Sequence, residues 1–290
     1  MRTIVPAVLL VGAFFGTLFT SCCPKQLSTG KCVPLRAPGC QRAPNVAAEG
    51  ARAVPARSRA LAKDMVRVGA GVFLRGSPPG VGLDDERPQR QTWLSTFDID
   101  RLEVTVADYQ RCVKAGRCTA PRCTDASQKP ESRPRHPVVC IPWEQARRYC
   151  LWAGKRLPTE SEWEKAARFT DGRIYPWGNE APTCKLAKYS GCHKPSATHA
   201  VGALPAGVSK YGALDMAGNV WEWVADWHHK DYYTTSPRKN PPGPWLGVKK
   251  VVRGGAFSYG ADELKTHGRT FDLPTKAYNH VGIRCARSVD

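Results

Sequence analysis

Twelve cysteines in 290 residues argue against a reducing cytosol and for an oxidising compartment in which they pair. A formal net charge of +18 calls for anionic partners, but the chain carries no nucleic-acid-binding motif and its export argues against that partner, so no nucleic acid is expected. No long apolar run follows residue 19, so the rest of the chain is expected to be soluble.

At the N-terminus, Arg2 precedes an apolar run over 4–19, then Thr20, Ser21 and Cys22-Cys23. The run is short for a bilayer span and has no polybasic stop behind it, so residues 1–21 read as a cleaved signal peptide. Thr20-Ser21-Cys22 resembles a bacterial lipobox, with Phe19 where Leu is usual. Lipidation at Cys22 is therefore expected, with the outer membrane or periplasm as the location; ordinary signal-peptidase cleavage is the alternative. Residues 22–64 are rich in Ala, Pro and Arg and lack hydrophobic periodicity, the composition of a tether. Lys25, Lys31, Arg36, Arg42, Arg52, Arg57, Arg59 and Lys63 face only Glu49 and Asp64 there. Such a basic tether attracts anionic lipid or lipopolysaccharide, unless it is simply solvated. Cys32 and Cys40 would close a small loop within it.

From residue 65 to 290 the sequence becomes aromatic and glycine-punctuated, long enough for one domain. Residues 66–74 and 97–104 partly alternate and predict strands; 105–113 predicts a helix. A second helix is expected over 143–152, stopped by Gly154. The third has the clearest start, with Thr159 as N-cap and Glu162 at the reciprocal capping-box position. Beyond Arg168 the chain reads as turns and short apolar pieces. Two or three helices near the front, few long strands and many Gly and Pro turns make an irregular α+β fold, one that gains much from cross-links.

Four segments carry a family pattern: AGKRLPTESEWEKAAR over 153–168, YPWGNE over 175–180, YGALDMAGNVWEW over 211–223, and VRGGAF over 252–257 closed by GIRCAR over 282–287. In this order they resemble the formylglycine-generating enzyme family, the sulfatase-modifying factor proteins, from about residue 65 to 287. The resemblance implies a C-type-lectin-like body with little regular secondary structure. Enzymatic members oxidise a sulfatase cysteine with copper and dioxygen, using two cysteines just after an Arg-Gly-Gly-Ser-aromatic motif, because Cu(I) prefers thiolates. Here Tyr259 stands where the first cysteine would fall, Ala256 replaces the serine, and no cysteine lies between Cys192 and Cys285. Copper is therefore not expected. The resemblance also implies structural calcium on the side chains of Asp215 and Glu222 and the carbonyls of Met216, Gly218 and Val220, oxygen donors suited to a hard cation. A second family calcium site is doubtful, because Lys185 takes the place of an Asn ligand.

The resemblance pairs Cys150 with Cys285. Cys184 and Cys192 flank a short loop and should pair. Cys112, Cys118, Cys123 and Cys140 make two further bridges whose connectivity the sequence leaves open. Arg253, Arg269 and Arg284 read as buried arginines bonding loop carbonyls rather than as an anion site. Trp163, Trp177, Trp221, Trp223 and Trp227 read as core rather than cleft, and His228-His229 beside Asp226 as a surface feature rather than a metal site. Two functions compete: a non-catalytic envelope module binding a protein, peptide or glycan, and an oxidase of this family using other residues. Iron-dependent sulfoxide synthases share the domain, but their iron histidines come largely from a separate helical domain.

Overall fold

The computed structural model describes residues 64–123, 133–192 and 197–289, which lie in a compact unit spanning Ala53–Asp290. The expected signal peptide, Cys22 and most of the expected tether lie outside the described residues. Strand β1 (Met65–Val68) pairs antiparallel with β4 (Phe97–Asp100), and β4 pairs with the last strand, β9 (Ala286–Ser288). One small sheet thus ties the front of the domain to its end. Between β1 and β4, β2 (Gly71–Arg75) and β3 (Arg90–Leu94) form an antiparallel pair. The alternation over 97–104 therefore yields a strand only to Asp100.

Helix α1 (Val106–Lys114) begins at Thr105, whose side chain accepts the Asp108 N–H. Helix α2 (Trp143–Trp152) has the predicted bounds. Helix α3 (Glu160–Arg168) carries the full capping box: Thr159 accepts from the Glu162 N–H, and Glu162 accepts from the Thr159 N–H. Such a cap contributes roughly 1 kcal/mol. The surprise is on its sides. All nine residues of α3 are buried, including Glu160, Glu164, Lys165 and Arg168, although the spacing of its charges would place several in water.

What lay beyond Arg168 in sequence as short apolar pieces is a four-stranded sheet, in the order β7 (Arg269–Asp272), β6 (Lys250–Arg253), β5 (Trp221–Trp227) and β8 (Val281–Gly282). The β5–β8 pair is parallel; the others are antiparallel. A short helix α4 (Tyr232–Thr235) lies in the β5–β6 connection. Trp221 and Trp223 face one core with Tyr109, Ile141, Tyr149 and Ile283. Trp163 fills a second core with Phe73, Phe97, Ile99 and Met216. The core reading thus holds for these three tryptophans; Trp177 stacks on Tyr175 at 5.1 Å, and Trp227 and Trp143 both flank the Lys250 ammonium, at 3.8 and 3.9 Å.

Four disulfides hold this body: Cys150–Cys285, Cys184–Cys192, Cys112–Cys118 and Cys123–Cys140. The last two settle the open connectivity. Among the described residues no helix is long and apolar enough to cross a membrane.

Candidate functional site

Strand β6 ends in Arg253, after which Gly254 and Gly255 take φ of 103° and 76°. A Cβ on Gly254 would lie 3.0 Å from the Trp163 ring, and one on Gly255 2.8 Å from the Glu263 carbonyl oxygen. Both the left-handed backbone and the close packing demand glycine here. The turn buries Ala256 and Phe257 and delivers Tyr259 to the surface, 36% exposed. There Tyr259 meets the Trp221 ring edge-on at 5.7 Å and the His280 ring at 5.3 Å. Its hydroxyl lies 3.3 Å from His280 Nε2, and His280 stacks on Tyr278 at 5.1 Å. Burial lowers the His280 pKa and raises that of Tyr259, so both groups are neutral at pH 7. Trp221 Nε1 is buried with no hydrogen-bond partner, an uncommon state for an indole donor. This patch can stack on and hydrogen-bond a ligand, but it offers no thiolate. All eight cysteines of the described residues are in disulfides, so the residues here do not fit copper. Tyr278 and His280 escaped the sequence reading; the only signal was their place just before the GIRCAR motif.

The residues expected to hold calcium surround a different centre. Asp215 and Asn219 adopt φ of 56° and 60° within the turn that leads into β5. Glu222 accepts from Arg284 Nε at 2.6 Å and Nη2 at 2.7 Å, and from Trp163 Nε1 at 2.7 Å. Asp215 accepts the Gly202 N–H at 2.6 Å. A third carboxylate, Glu103, is buried beside them; one oxygen accepts from Asn219 at 2.6 Å, and the other has no partner. Burial raises the pKa of all three, and that of Glu103 is pushed well up, with the charges of Asp215 and Glu222 adding to the effect. Of the three, Glu222 bonds the Arg284 guanidinium directly, and the charges of Glu103 and Asp215 act on it from farther off. The excess of buried acid and the orphaned Glu103 oxygen fit a hard, oxygen-ligated cation. Among the described residues no three His, Cys, Asp or Glu side chains converge as a metal site, but the expected set needs only two carboxylates, with carbonyls supplying the rest. Glu103 had no sequence signal, being 116 residues from Asn219. Lys185 is exposed, and the buried lysine of its segment is Lys188.

The arginines are buried as expected, but carboxylates as well as carbonyls hold them. Arg269 is bidentate on Glu160 at 2.7 and 3.0 Å. Arg253 reaches Glu164 at 2.9 Å and Glu160 at 3.3 Å, and also donates to the Thr266 and His267 carbonyls. Arg75 lies 3.7 Å from Glu160, and Arg168 donates to Glu164 at 3.1 Å. Beside this network Ser77, Glu86 and His267 form a hydrogen-bonded set with Ser77 Oγ 2.7 Å from His267 Nδ1. It resembles a nucleophile with its base, yet the three are 0, 5 and 2% exposed, so no substrate reaches it. His228 is tied to Asp85 at 2.8 Å while His229 is exposed, so the pair does not converge on an ion. A cleft of about 300 Å³ between Thr96, Arg156, Glu162 and Asn240 has its charges paired with each other, Arg156 on Glu162 at 2.7 Å.

Comparison with known proteins identifies relatives of this fold. The family described as "Sulfatase-modifying factor enzyme 1-like domain" matches residues 50–289. The formylglycine-generating enzyme of Thermomonospora curvata is 35% identical over 293 residues, covering 80% of this chain and 96% of that protein. The hercynine oxygenase of Mycolicibacterium thermoresistibile is 33% identical, covering 76% of this chain and 56% of that one. Among solved structures, PvdO from Pseudomonas aeruginosa superposes with a TM-score of 0.67 at 28% identity, over 78% of this chain and 94% of PvdO.

Proposed function

The chain belongs to the sulfatase-modifying factor family, and within it we propose that this protein is a non-catalytic binding module of the cell envelope. One observation carries the reading. Tyr259 occupies the place where the family resemblance puts a copper thiolate, and every cysteine of the described domain is committed to a bridge. Without thiolates the site lacks the soft donors that Cu(I) requires. It presents instead Tyr259, Tyr278 and His280 as a neutral, stacking surface, backed by the buried Trp221 ring.

Aromatic faces with a few polar tips suit a peptide or a glycan, which gain stacking and hydrogen bonds at small entropic cost. Calcium would be structural, held by Asp215, Glu222 and the carbonyls of Met216, Gly218 and Val220, and would fix the turn that enters β5. Lipidated Cys22 would hold the module at the membrane through the basic tether, which would itself contact anionic lipid or lipopolysaccharide.

The test is chemical. Purified protein incubated with copper, dioxygen and a cysteine-containing sulfatase peptide should leave the peptide mass unchanged, and elemental analysis should find calcium without copper or iron. Conversion of the cysteine to an aldehyde would overturn the reading.

A further inference from the structure

The connection between β5 and β6, residues 228–249, ends in a feature that neither core nor site explains. Trp245, Leu246 and Val248 are 91, 84 and 74% exposed. Of the nine tryptophans in the chain, Trp245 is the one that stands in the exposed class. Three large apolar side chains within four residues, all in water, forfeit roughly 1.5–3 kcal/mol each of available burial.

Their exposure is built in. Gly243 takes φ 89°, and a Cβ there would lie 2.8 Å from Asp226 Cγ; its N–H donates to the Tyr232 hydroxyl at 2.8 Å. A Cβ on Gly247 would lie 2.7 Å from Trp227 Cβ, and the His228 N–H donates to the Lys249 carbonyl at 2.8 Å. Pro241, Pro242 and Pro244 stiffen the approach. The base of the loop is therefore clamped to β5, and the apolar tip cannot fold back to cover itself.

Around this tip the charge has one dominant sign. Residues 228–249 carry Lys230, Arg238, Lys239 and Lys249 against a single acid, Asp231, and all four cations are exposed. Two of them are held in place. The Trp93 N–H donates to the Arg238 carbonyl at 2.7 Å, and the Lys239 ammonium sits 4.8 Å over the Trp93 ring. An exposed Trp-Leu-x-Val tip ringed by exposed cations matches the layering of a lipid surface. Indole and aliphatic groups partition to the boundary between headgroup and acyl chain, while lysine and arginine remain with the phosphates.

We propose that this loop docks the domain onto an anionic bilayer, with Trp245, Leu246 and Val248 entering the interface and Arg238, Lys239 and Lys249 on the headgroups. The docking orients the domain by a second contact, distinct from any N-terminal anchor, and is independent of the binding role assigned to Tyr259.

Tryptophan fluorescence tests it on the full mature chain incorporated in vesicles, because quenching by brominated acyl chains reads contact at the site rather than mere tethering. In vesicles of phosphatidylglycerol and phosphatidylcholine, wild-type protein should be quenched. Trp245→Phe should lose most of that quenching while keeping its melting temperature. Lys239→Glu with Lys249→Glu, and vesicles of phosphatidylcholine alone, should each reduce it several-fold. Equal quenching in wild type and Trp245→Phe, or none in either, would overturn the proposal. So would concentration-dependent self-association in sedimentation that Trp245→Ser abolishes, since the tip would then be a contact between copies of this chain.

Discussion

Replacing Glu160 by Gln tests whether the charged interior of α3 is a structural element. The Glu160 side chain is fully buried. It accepts from Arg269 at 2.7 and 3.0 Å and from Arg253 at 3.3 Å, with Arg75 at 3.7 Å. Glutamine preserves the shape but turns an amide N–H₂ toward guanidinium groups and removes one of the charges that neutralise them. Breaking a buried pair by removing one partner costs about 3–5 kcal/mol, because the remaining charge stays in a low dielectric. For a domain of this size that corresponds to a fall of roughly 6–20 °C in melting temperature. The control is Glu144→Gln on α2, where the carboxylate bonds Arg147 at 3.0 Å and Arg148 at 3.2 Å with 45% of its side chain exposed. Exposed pairs contribute about 0–1 kcal/mol, so its melting temperature should move by no more than about 4 °C. Calorimetry on the oxidised proteins at pH 7, in low and high salt, separates the two: the small Glu144 effect should vanish with salt, and the large Glu160 effect should persist. A loss below about 1 kcal/mol in Glu160→Gln would refute the reasoning, since ~1 kcal/mol is the range of an exposed pair.

Burial, followed by the charge of Glu160, pushes the Asp226 carboxyl up to about 7. A folded-state pKa above the unfolded value means stability is full below about pH 4 and is lost as pH rises to about 7. Asp226→Asn should therefore flatten the urea-unfolding profile between pH 4 and 7 and gain up to about 4 kcal/mol at pH 8; a steeper profile would contradict this. Calcium should raise the melting temperature progressively, with a gain in stability of about 2.7 kcal/mol at a hundredfold excess over Kd, and Asp215→Ser should weaken the response; the absence of any shift would remove the calcium assignment. Cys150–Cys285 closes a sequence separation of 135 residues and Cys184–Cys192 one of 8. By chain entropy their removal should cost about 5 and 2.5 kcal/mol, and urea titrations of the paired serine variants should preserve that order.

Much of this protein is local and therefore legible. The Thr159–Glu162 box follows from side chains bonding backbone within one turn, and the bounds of α2 follow from its residue pattern between Pro142 and Gly154. The family motifs carried the Cys150–Cys285 bridge and drew attention to the turn at Tyr259. Other features were invisible because they join distant segments. No periodicity announces that Glu160, Glu164 and Arg168 face inward, since charge normally marks a solvent face; only the arrival of Arg75, Arg253 and Arg269 from three other strands makes that burial tolerable. Glu103 joins Asp215 and Glu222, and Tyr278 and His280 join Tyr259, by the same kind of convergence.

Sequence by itself determined the disulfide-rich character of the domain and the placement of its three front helices, because composition, caps and residue identity are properties of short stretches. Tertiary structure alone decided which charges are buried, how four of the cysteines pair and which apolar side chains are left in water, because each depends on what a remote segment brings alongside.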